Sequence, residues 1–377
     1  MSNSQKLERI EHALLNGQAA AAVAEADALI ASFMPPQPET LMALSEKMGE
    51  HLQLKCAARL VMKVSEMVSP SVELFSKLAQ LQWIAGETDN AITTLRRALT
   101  LSSQQPAVWN QLGMICLTGG RFLDAFMTYS TGHSLQPDNN RGAFVGRALA
   151  FRLLSGQRVI TVKQGITQAR FALSGRSLTV DFVHMAERFY EEEELAALTG
   201  VVRRGGIVAD VGTNLGNHAI FFLQAFAPVE LHLFEPNPDC LAVLKENLAL
   251  NPAPNTRLQL YEKGVGETPG ELFFTPHDDL NNALVAEAEA GSRKPIQIIT
   301  LDDTLTKVNF LKIDVEGMEL GVLAGAKRLI RECRPVIFIE VQNHNQVGFE
   351  AFLKELSYET AHAFKGGDYT NIIAVPV

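Results

Sequence analysis

Residues Ile207-Val-Ala-Asp-Val-Gly-Thr-Asn-Leu-Gly-Asn-His-Ala-Ile220, followed by Leu231-His-Leu-Phe-Glu-Pro-Asn-Pro238, confine this chain to few architectures. An apolar run ends in an acid and a glycine turn, a helical apolar pattern runs from His218 to Phe226, and a second apolar run ends in Glu235. Strand, turn, helix and strand in that order build a parallel sheet with helical crossovers. Ligands of such open sheets sit at the carboxyl ends of the strands, and an acid closing the second strand is placed to accept ribose hydroxyls. The segment therefore predicts a site for the adenosine end of a cofactor.

The glycine spacing narrows which cofactor. A dinucleotide fingerprint wants G-x-G-x-x-G, so that backbone and helix can approach a pyrophosphate. Counting from Gly212, this chain has Asn214 and Asn217 at the other two positions, which argues against NAD or FAD. The turn Asp210-Val-Gly-Thr-Asn-Leu-Gly216 resembles instead the first motif of class I S-adenosylmethionine (SAM) methyltransferases. There no phosphate has to be held, and Gly216 lets the helix start close by. A third segment follows the same logic: Leu301-Asp-Asp-Thr-Leu305, then Val308-Asn-Phe-Leu-Lys-Ile-Asp314-Val-Glu316-Gly317-Met-Glu319.

Together with Glu235-Pro-Asn-Pro238, these segments resemble the FkbM family of SAM-dependent methyltransferases. The resemblance runs from about Phe182 to the C-terminus. It includes the lead-in Phe189-Tyr190-Glu191, Asn247 and Asn251 ending the helix after Glu235, and Asn371 in the last strand. It departs from the family at Thr213, where alanine is common. It implies O-methylation of hydroxyls on sugars, glycans or secondary metabolites. It also implies a Rossmann-like, mostly parallel seven-stranded sheet of order 3-2-1-4-5-7-6 with an antiparallel last strand.

On this reading Asp210, Gly212, Asn214, Gly216, His218, Glu235, Pro236, Gly264 and Val265 surround the cofactor. Methyl transfer from a sulfonium is an in-line displacement that needs an oriented hydroxyl and an acceptor for its proton. Asp314 is the first candidate for that base, Glu316 the second, and His344 after the fifth strand a third. Glu319, in the first turn of the following helix, suits the helix dipole as well as it suits chemistry. Lys312, unusual in a buried run, is expected to pair with Asp302 or Glu340. Asp302, Asp314, Glu316 and Glu340 would also suit Mg²⁺ as hard oxygen ligands, though nothing in their spacing demands a metal. The loop Asp278–Ala283 carries polar groups fit for hydroxyl recognition. No aromatic platform, basic groove or peptide motif in the sequence names the acceptor.

The first 140 residues obey a different rule, a repeat of 34 residues. Ala57, Ala91 and Ala125 fall in register, as do Leu44, Leu78 and Leu112, and Leu41, Phe75 and Trp109. A more degenerate first unit carries Leu7, Ile10, Leu14 and Pro35. The pattern resembles the tetratricopeptide repeat (TPR), a helical hairpin in which small residues let helices approach and large ones such as Trp109 and Tyr129 fill the space between hairpins. Gly86 and Gly119 are placed to turn the chain between helices. The chain thus reads as multi-domain: an all-α TPR-like solenoid over 1–140, a capping helix and connector with some strand over 141–179, and an α/β methyltransferase-like domain over 180–377.

At 377 residues the chain is long enough for two cores. A net charge of −9 excludes the basic footprint of a non-specific nucleic-acid binder. Four scattered cysteines without C-x-x-C spacing suit a reducing compartment. A polar N-terminus and the lack of any apolar run of about 20 residues point to a cytoplasmic protein without a membrane span. The repeats are expected to dock a protein partner, a second copy or a large substrate. A competing reading makes the chain a TPR scaffold whose α/β domain is inactive or only senses SAM. The retention of Gly212, Gly216, Glu235, Asp314 and Glu316 speaks for the enzyme.

Overall fold

In a computed structural model, described for residues 3–32, 35–51, 53–165, 167–175, 177–274, 284–285 and 295–377, the chain divides into two compact units. One runs to Leu154 and the other from Ser155 onward. The loop Asp278–Ala283 lies outside the described residues.

The described part of the first unit is all helix: α1 (Asn3–Leu15), α2 (Ala19–Ile30), α3 (Pro38–Glu50), α4 (Leu54–Met67), α5 (Val72–Ile84), α6 (Thr88–Leu101), α7 (Pro106–Thr118), α8 (Phe122–Leu135) and α9 (Arg141–Leu154). Successive pairs form hairpins, and α9 packs on α7 and α8. Pro38 and Pro106 open α3 and α7 at a position whose N–H has no helical partner anyway. Ser71 caps α5 by accepting from the Leu74 amide at 3.1 Å. The register alanines Ala57, Ala91 and Ala125 are fully buried.

Tyr129 is the clearest knob. Its ring is clamped between Gly113 of α7 and Gly146 of α9, where a Cβ would stand 2.9 and 2.5 Å from ring carbons. Trp109 is only half-buried, because its indole N–H reaches out to Ser103 O at 2.9 Å. The left-handed turn between α7 and α8 falls on Gly120 (φ +74°), one residue beyond Gly119.

The second unit opens with an antiparallel hairpin, β1 (Val159–Gln164) and β2 (Thr167–Ala172). Helices α10 (Leu178–Met185) and α11 (Glu192–Val201) lead into β3 (Ile207–Val211), α12 (Asn217–Phe226), β4 (Glu230–Phe234), α13 (Pro238–Leu250) and β5 (Arg257–Tyr261). A small side sheet holds β6 (Gly264–Val265), β7 (Gly270–Phe274), β8 (Leu284–Val285) and β9 (Ile296–Ile299). Then come α14 (Leu301–Thr304), β10 (Phe310–Ile313), α15 (Glu319–Ala324), α16 (Lys327–Cys333), β11 (Val336–Gln342), α17 (Gln346–Leu356), β12 (Tyr358–Lys365) and β13 (Tyr369–Pro376). The main sheet runs β12-β13-β11-β10-β3-β4-β5, parallel except for β13, which is the implied order 3-2-1-4-5-7-6. The chain leaves β3 toward β4 and leaves β10 toward β11, so the switch point lies between β3 and β10.

Two local devices fix this frame. Asn247 on α13 and Asn251 at its C-cap act as a strand edge for β2: Asn247 Oδ1 accepts the Ala172 amide at 2.7 Å, and Asn251 Oδ1 accepts the Arg170 amide at 2.9 Å. This ties the hairpin to the sheet domain. The helical stretch after β10 is broken into α15 and α16 around Gly325. There the chain presses so close to the β6 end that a Cβ would stand 2.1 Å from Gly266 O. Asp302 then caps the restarted helix, accepting the amides of Arg328 and Leu329 at 2.9 and 2.8 Å. No helix of the described residues is long and apolar enough to cross a membrane.

Candidate active site

A cavity of about 550 Å³ lies along the carboxyl edge of the sheet, across the switch point. On its β4–β5 side it is lined by Glu235, Pro236, Gly264 and Val265; at the glycine turn by Gly212, Asn214 and His218; and after β10 by Asp314 and Glu316. Three predicted residues stand elsewhere. Asp210 lies beneath the cavity, fully buried inside β3, because its strand position points it at Lys312 of the neighbouring strand rather than at a ligand. Gly216 serves the start of α12, where a Cβ would meet Leu244 Cδ1 at 2.7 Å. His344 sits in a short 3-10 turn, Asn343–Asn345, and does not line the cavity.

The turn after β3 is shaped by contact. A Cβ on Gly212 (φ +78°) would stand 1.7 Å from Asp314 O, so the turn and the end of β10 touch through bare backbone. Asn217, at the third position of the dinucleotide spacing, has its own task. Its Oδ1 accepts the Tyr190 amide and faces His184 Nε2, both at 3.0 Å, and its Nδ2 donates to Tyr190 O at 3.0 Å. A glycine there would release the lead-in segment from the cavity wall.

Glu235 closes β4 with 6% exposure. Its carboxylate accepts two backbone amides, Asn214 N on Oε2 at 2.8 Å and Asn237 N on Oε1 at 2.7 Å. No ion pair reaches it among the described residues. Burial pushes its carboxyl up to about 7, against those two amides and Lys312. An acid facing a cavity, pinned by amides and left with outward lone pairs, fits vicinal hydroxyls; the site suits the ribose of an adenosine cofactor.

Lys312 is the buried hub. Its Nζ donates to Gly212 O at 2.7 Å and lies 3.2 Å from Asp210 Oδ1 and 3.3 Å from Asp314 Oδ2. Its partners are therefore Asp210 and Asp314, not Asp302, which caps α16, nor Glu340. Desolvation lowers its pKa, but the two aspartates overcome this and hold the ammonium above its ordinary value. Asp314 keeps 31% of its side chain exposed at the cavity, where Asp210 has none. Glu319 is fully buried, taking the Gly317 amide and the Asn345 side chain at 2.6 Å each, and so closes the turn after Asp314. Among the described residues no three His, Cys, Asp or Glu side chains group as a metal site.

The other end of the cavity holds groups that sequence reasoning did not bring together. Glu191 caps α11 in a left-handed conformation (φ 59°) and meets His218 Nε2 at 3.0 Å and Asn371 Nδ2 at 2.9 Å. Burial pushes its carboxyl up, but His218, Asn371 and Lys312 outweigh burial and hold it below its ordinary value. Glu340, at the end of β11, is pushed up to about 9 by burial and by Asp314, Glu316 and Glu191. Tyr190 and Tyr369 complete this wall. The signal in the sequence was the conjunction of Tyr190-Glu191 with Asn371, which shares one wall across 180 residues.

These shifts have a measurable consequence. A carboxyl raised on folding contributes stability that is present below its unfolded value and is lost as pH rises through the folded value. Asp181, raised to about 6 by burial, and His184, lowered to about 4 in the fold by burial against its bond to Asn217 but near 6.5 when unfolded, have finished titrating by about pH 7.5. Above that, Glu235 and Glu340 remain. The melting temperature of the sheet domain is expected to fall between about pH 7.5 and 9, and Glu340→Gln to flatten that fall; a profile that rises over this window contradicts the assignment.

A switch-point cavity on a sheet of order 3-2-1-4-5-7-6, with an acid closing the second strand, is the build of an α/β methyltransferase. Residues 210–365 match the family described as the methyltransferase FkbM domain, and the chain belongs to that family. It is 30% identical over 172 residues to the hexuronic acid methyltransferase AglP of Haloferax volcanii, covering 44% of this chain and 68% of that protein. It is 26% identical over 169 residues to the 2-O-methyltransferase NoeI of Sinorhizobium fredii, covering 39% and 67%. Among solved structures, the FkbM methyltransferase of Methylobacillus flagellatus aligns with a TM-score of 0.37 and 16% identity over 67% of this chain and 59% of that one.

Proposed function

We propose that this methyltransferase transfers the methyl group of SAM to a hydroxyl of a sugar, glycan or secondary metabolite, in the cytoplasm, with the repeats docking a partner, a second copy or a large substrate. The observation that carries the reading is Glu235, buried, amide-pinned and turned to the cavity on the β4–β5 side. The names of the relatives, a hexuronic acid methyltransferase and a 2-O-methyltransferase, support hydroxyl acceptors. Bound here, SAM supplies an electrophilic methyl group on a sulfonium. Glu235 would hold its ribose hydroxyls, and Gly264 and Val265 would lie beside its base. Asp314 accepts the proton of the acceptor hydroxyl, with Lys312 holding its Oδ2 in place. Glu316 borders the same space. Glu340 carries its proton at neutral pH and donates it in a hydrogen bond to an acceptor oxygen.

Glu235→Ala is expected to weaken SAM binding roughly ten- to hundredfold, since hydrogen bonds to a charged group contribute about 1.5–3 kcal/mol. Titration calorimetry with SAM, and with NAD as control, measures it. Unchanged SAM affinity in the variant would remove Glu235 from the site, and tight NAD binding would point to a different cofactor class.

A further inference from the structure

We infer that Tyr369 selects the methyl acceptor: its ring is the platform on which the C–H face of a cyclic polyol lies, with Gln342 beside it to hydrogen-bond the hydroxyls on that ring's rim. The inference rests on the methyl-transfer reading above and names the substrate class of that same site, with the residues that choose it.

The chemistry of the cofactor decides which end is which. Glu235 would hold the ribose at β4, and the sulfonium is joined to that ribose through a single methylene. The methyl group therefore stands within a strand or two of Glu235, over β3 and β10, where Asp314 lines the cavity. At about 4.8 Å per strand, β4 and β13 are roughly 19 Å apart. Tyr369 opens β13 and lines the cavity there, beyond Asp314. A hydroxyl brought to the methyl group from that side places the rest of its molecule against Tyr369.

The β12–β13 turn is built to hold that ring. A Cβ on Gly366 would stand 2.7, 2.8 and 2.9 Å from Tyr369 Cζ, Cε2 and Cε1. Near-equal distances to three ring carbons put Gly366 over the face of the ring, not at its edge. One face thus rests on bare backbone, and the ring is held in one plane at the cavity wall. The Gly366 amide donates to Tyr369 O at 3.0 Å and the Asn343 amide to Asp368 O at 2.8 Å, so the turn is closed on itself and tied to the end of β11. Tyr369 is in register with Gln342, and Glu340 stands two residues back on the same face of β11. Cross-strand partners lie about 5 Å apart at Cβ. The phenol ring and the Gln342 carboxamide, which both line the cavity, therefore form one surface. Gln342 Nε2 donates one hydrogen to Glu340 Oε1 at 3.1 Å, and its second hydrogen and its oxygen can meet a hydroxyl as donor and acceptor. An aromatic face bordered by such a group matches a saturated ring, whose C–H bonds gather on one face while its hydroxyls stand around the rim.

The test uses the full chain saturated with S-adenosylhomocysteine, whose own binding reports that each variant is folded. The methyl glycosides of glucose, galactose and mannose, and the open-chain alditols of the same sugars, are titrated calorimetrically. At least one glycoside is expected to bind more tightly than its alditol. Tyr369→Ala is expected to weaken that glycoside about three- to tenfold, as the loss of an aromatic face implies, and the alditol by less than about twofold. Tyr369→Phe keeps the face and is expected to keep the affinity. Gly366→Ala, in an exposed turn, displaces the ring and is expected to weaken the glycoside as Tyr369→Ala does. Affinity for S-adenosylhomocysteine is expected to be unchanged in all three. Wild-type glycoside affinity in Tyr369→Ala or Gly366→Ala, or a loss in Tyr369→Phe as large as in Tyr369→Ala, overturns the inference. So does an alditol that binds as well as its glycoside, or no sugar binding to protein that has bound S-adenosylhomocysteine; the methyltransferase reading stands in each case. A Tyr369→Ala protein that loses S-adenosylhomocysteine affinity along with sugar affinity places the ring against the cofactor and overturns it too. Failure of the wild type to bind S-adenosylhomocysteine at all overturns both.

Discussion

Lys312→Met is expected to destabilise the sheet domain by about 3–5 kcal/mol, because removing one partner of a buried pair leaves the other charge without compensation. The geometry makes this chain a strong case. Lys312 sits on β10, the middle of the seven strands, with Asp210 directly beside it in register on β3. The Asp210 carboxylate has no exposed surface and no hydrogen bond within the described residues beyond its ion pair with Lys312. It therefore cannot shed its charge to water when the ammonium is gone. The same substitution frees Gly212 O and loosens Asp314, so the glycine turn and the proposed base lose their common anchor. For a domain of this size the loss lowers the unfolding midpoint by roughly 10 °C. The double variant Asp210→Asn with Lys312→Met is expected to recover most of it, since an apolar or neutral pair of similar volume removes the stranded charge. Calorimetric unfolding of wild type, single and double variants decides. If the single variant melts within a degree or two of wild type, the hub carries little of the stability assigned to it.

How far the sequence alone reached can be judged from such residues. The strand–turn–helix core was legible because each of its signals is local: an apolar run, a turn glycine, an acid at a strand end. β3 and α12 fall where the apolar patterns put them. The break between α15 and α16 was not legible, since it depends on the Gly325 backbone meeting Gly266 across the domain, and a continuous apolar pattern conceals it. Lys312 was flagged by its type, yet its partners were misassigned. Asp302, ten residues back, and Glu340 on the next strand looked as suitable as Asp210, 102 residues away, and only strand register distinguishes them. The aromatic wall was missed for a related reason. Tyr190 and Tyr369 come from the two ends of the domain, and neither lies in an aromatic cluster of sequence. In the repeats, Gly113 and Gly146 read as weak helix positions until Tyr129 is seen to fill the space they leave.

Asp314→Asn is expected to reduce methyl transfer by about 10²–10⁴-fold, the range over which a positioned general base contributes, while SAM affinity changes by no more than a few-fold. Three observations single out this acid. It follows β10 at the switch point and lines the cavity there. It retains an exposed face, whereas Asp210 on the same lysine has none. Glu319 and Asn345 brace the turn that follows it, so its position does not depend on a bound ligand. The asparagine keeps the size and one acceptor oxygen but cannot take a proton. Binding and chemistry should therefore separate, with turnover falling and cofactor affinity kept. Glu340→Gln makes the contrast: a glutamine donates much as a protonated carboxyl does, so its loss should be tenfold or less at neutral pH and should grow smaller as the pH is raised toward 9. Transfer of a labelled methyl group from SAM into the protein's native lysate, followed with wild type and both variants side by side, reads all three rates. An Asp314→Asn protein that transfers at the wild-type rate would move the proton to Glu316 or to His218, and with it the line of attack.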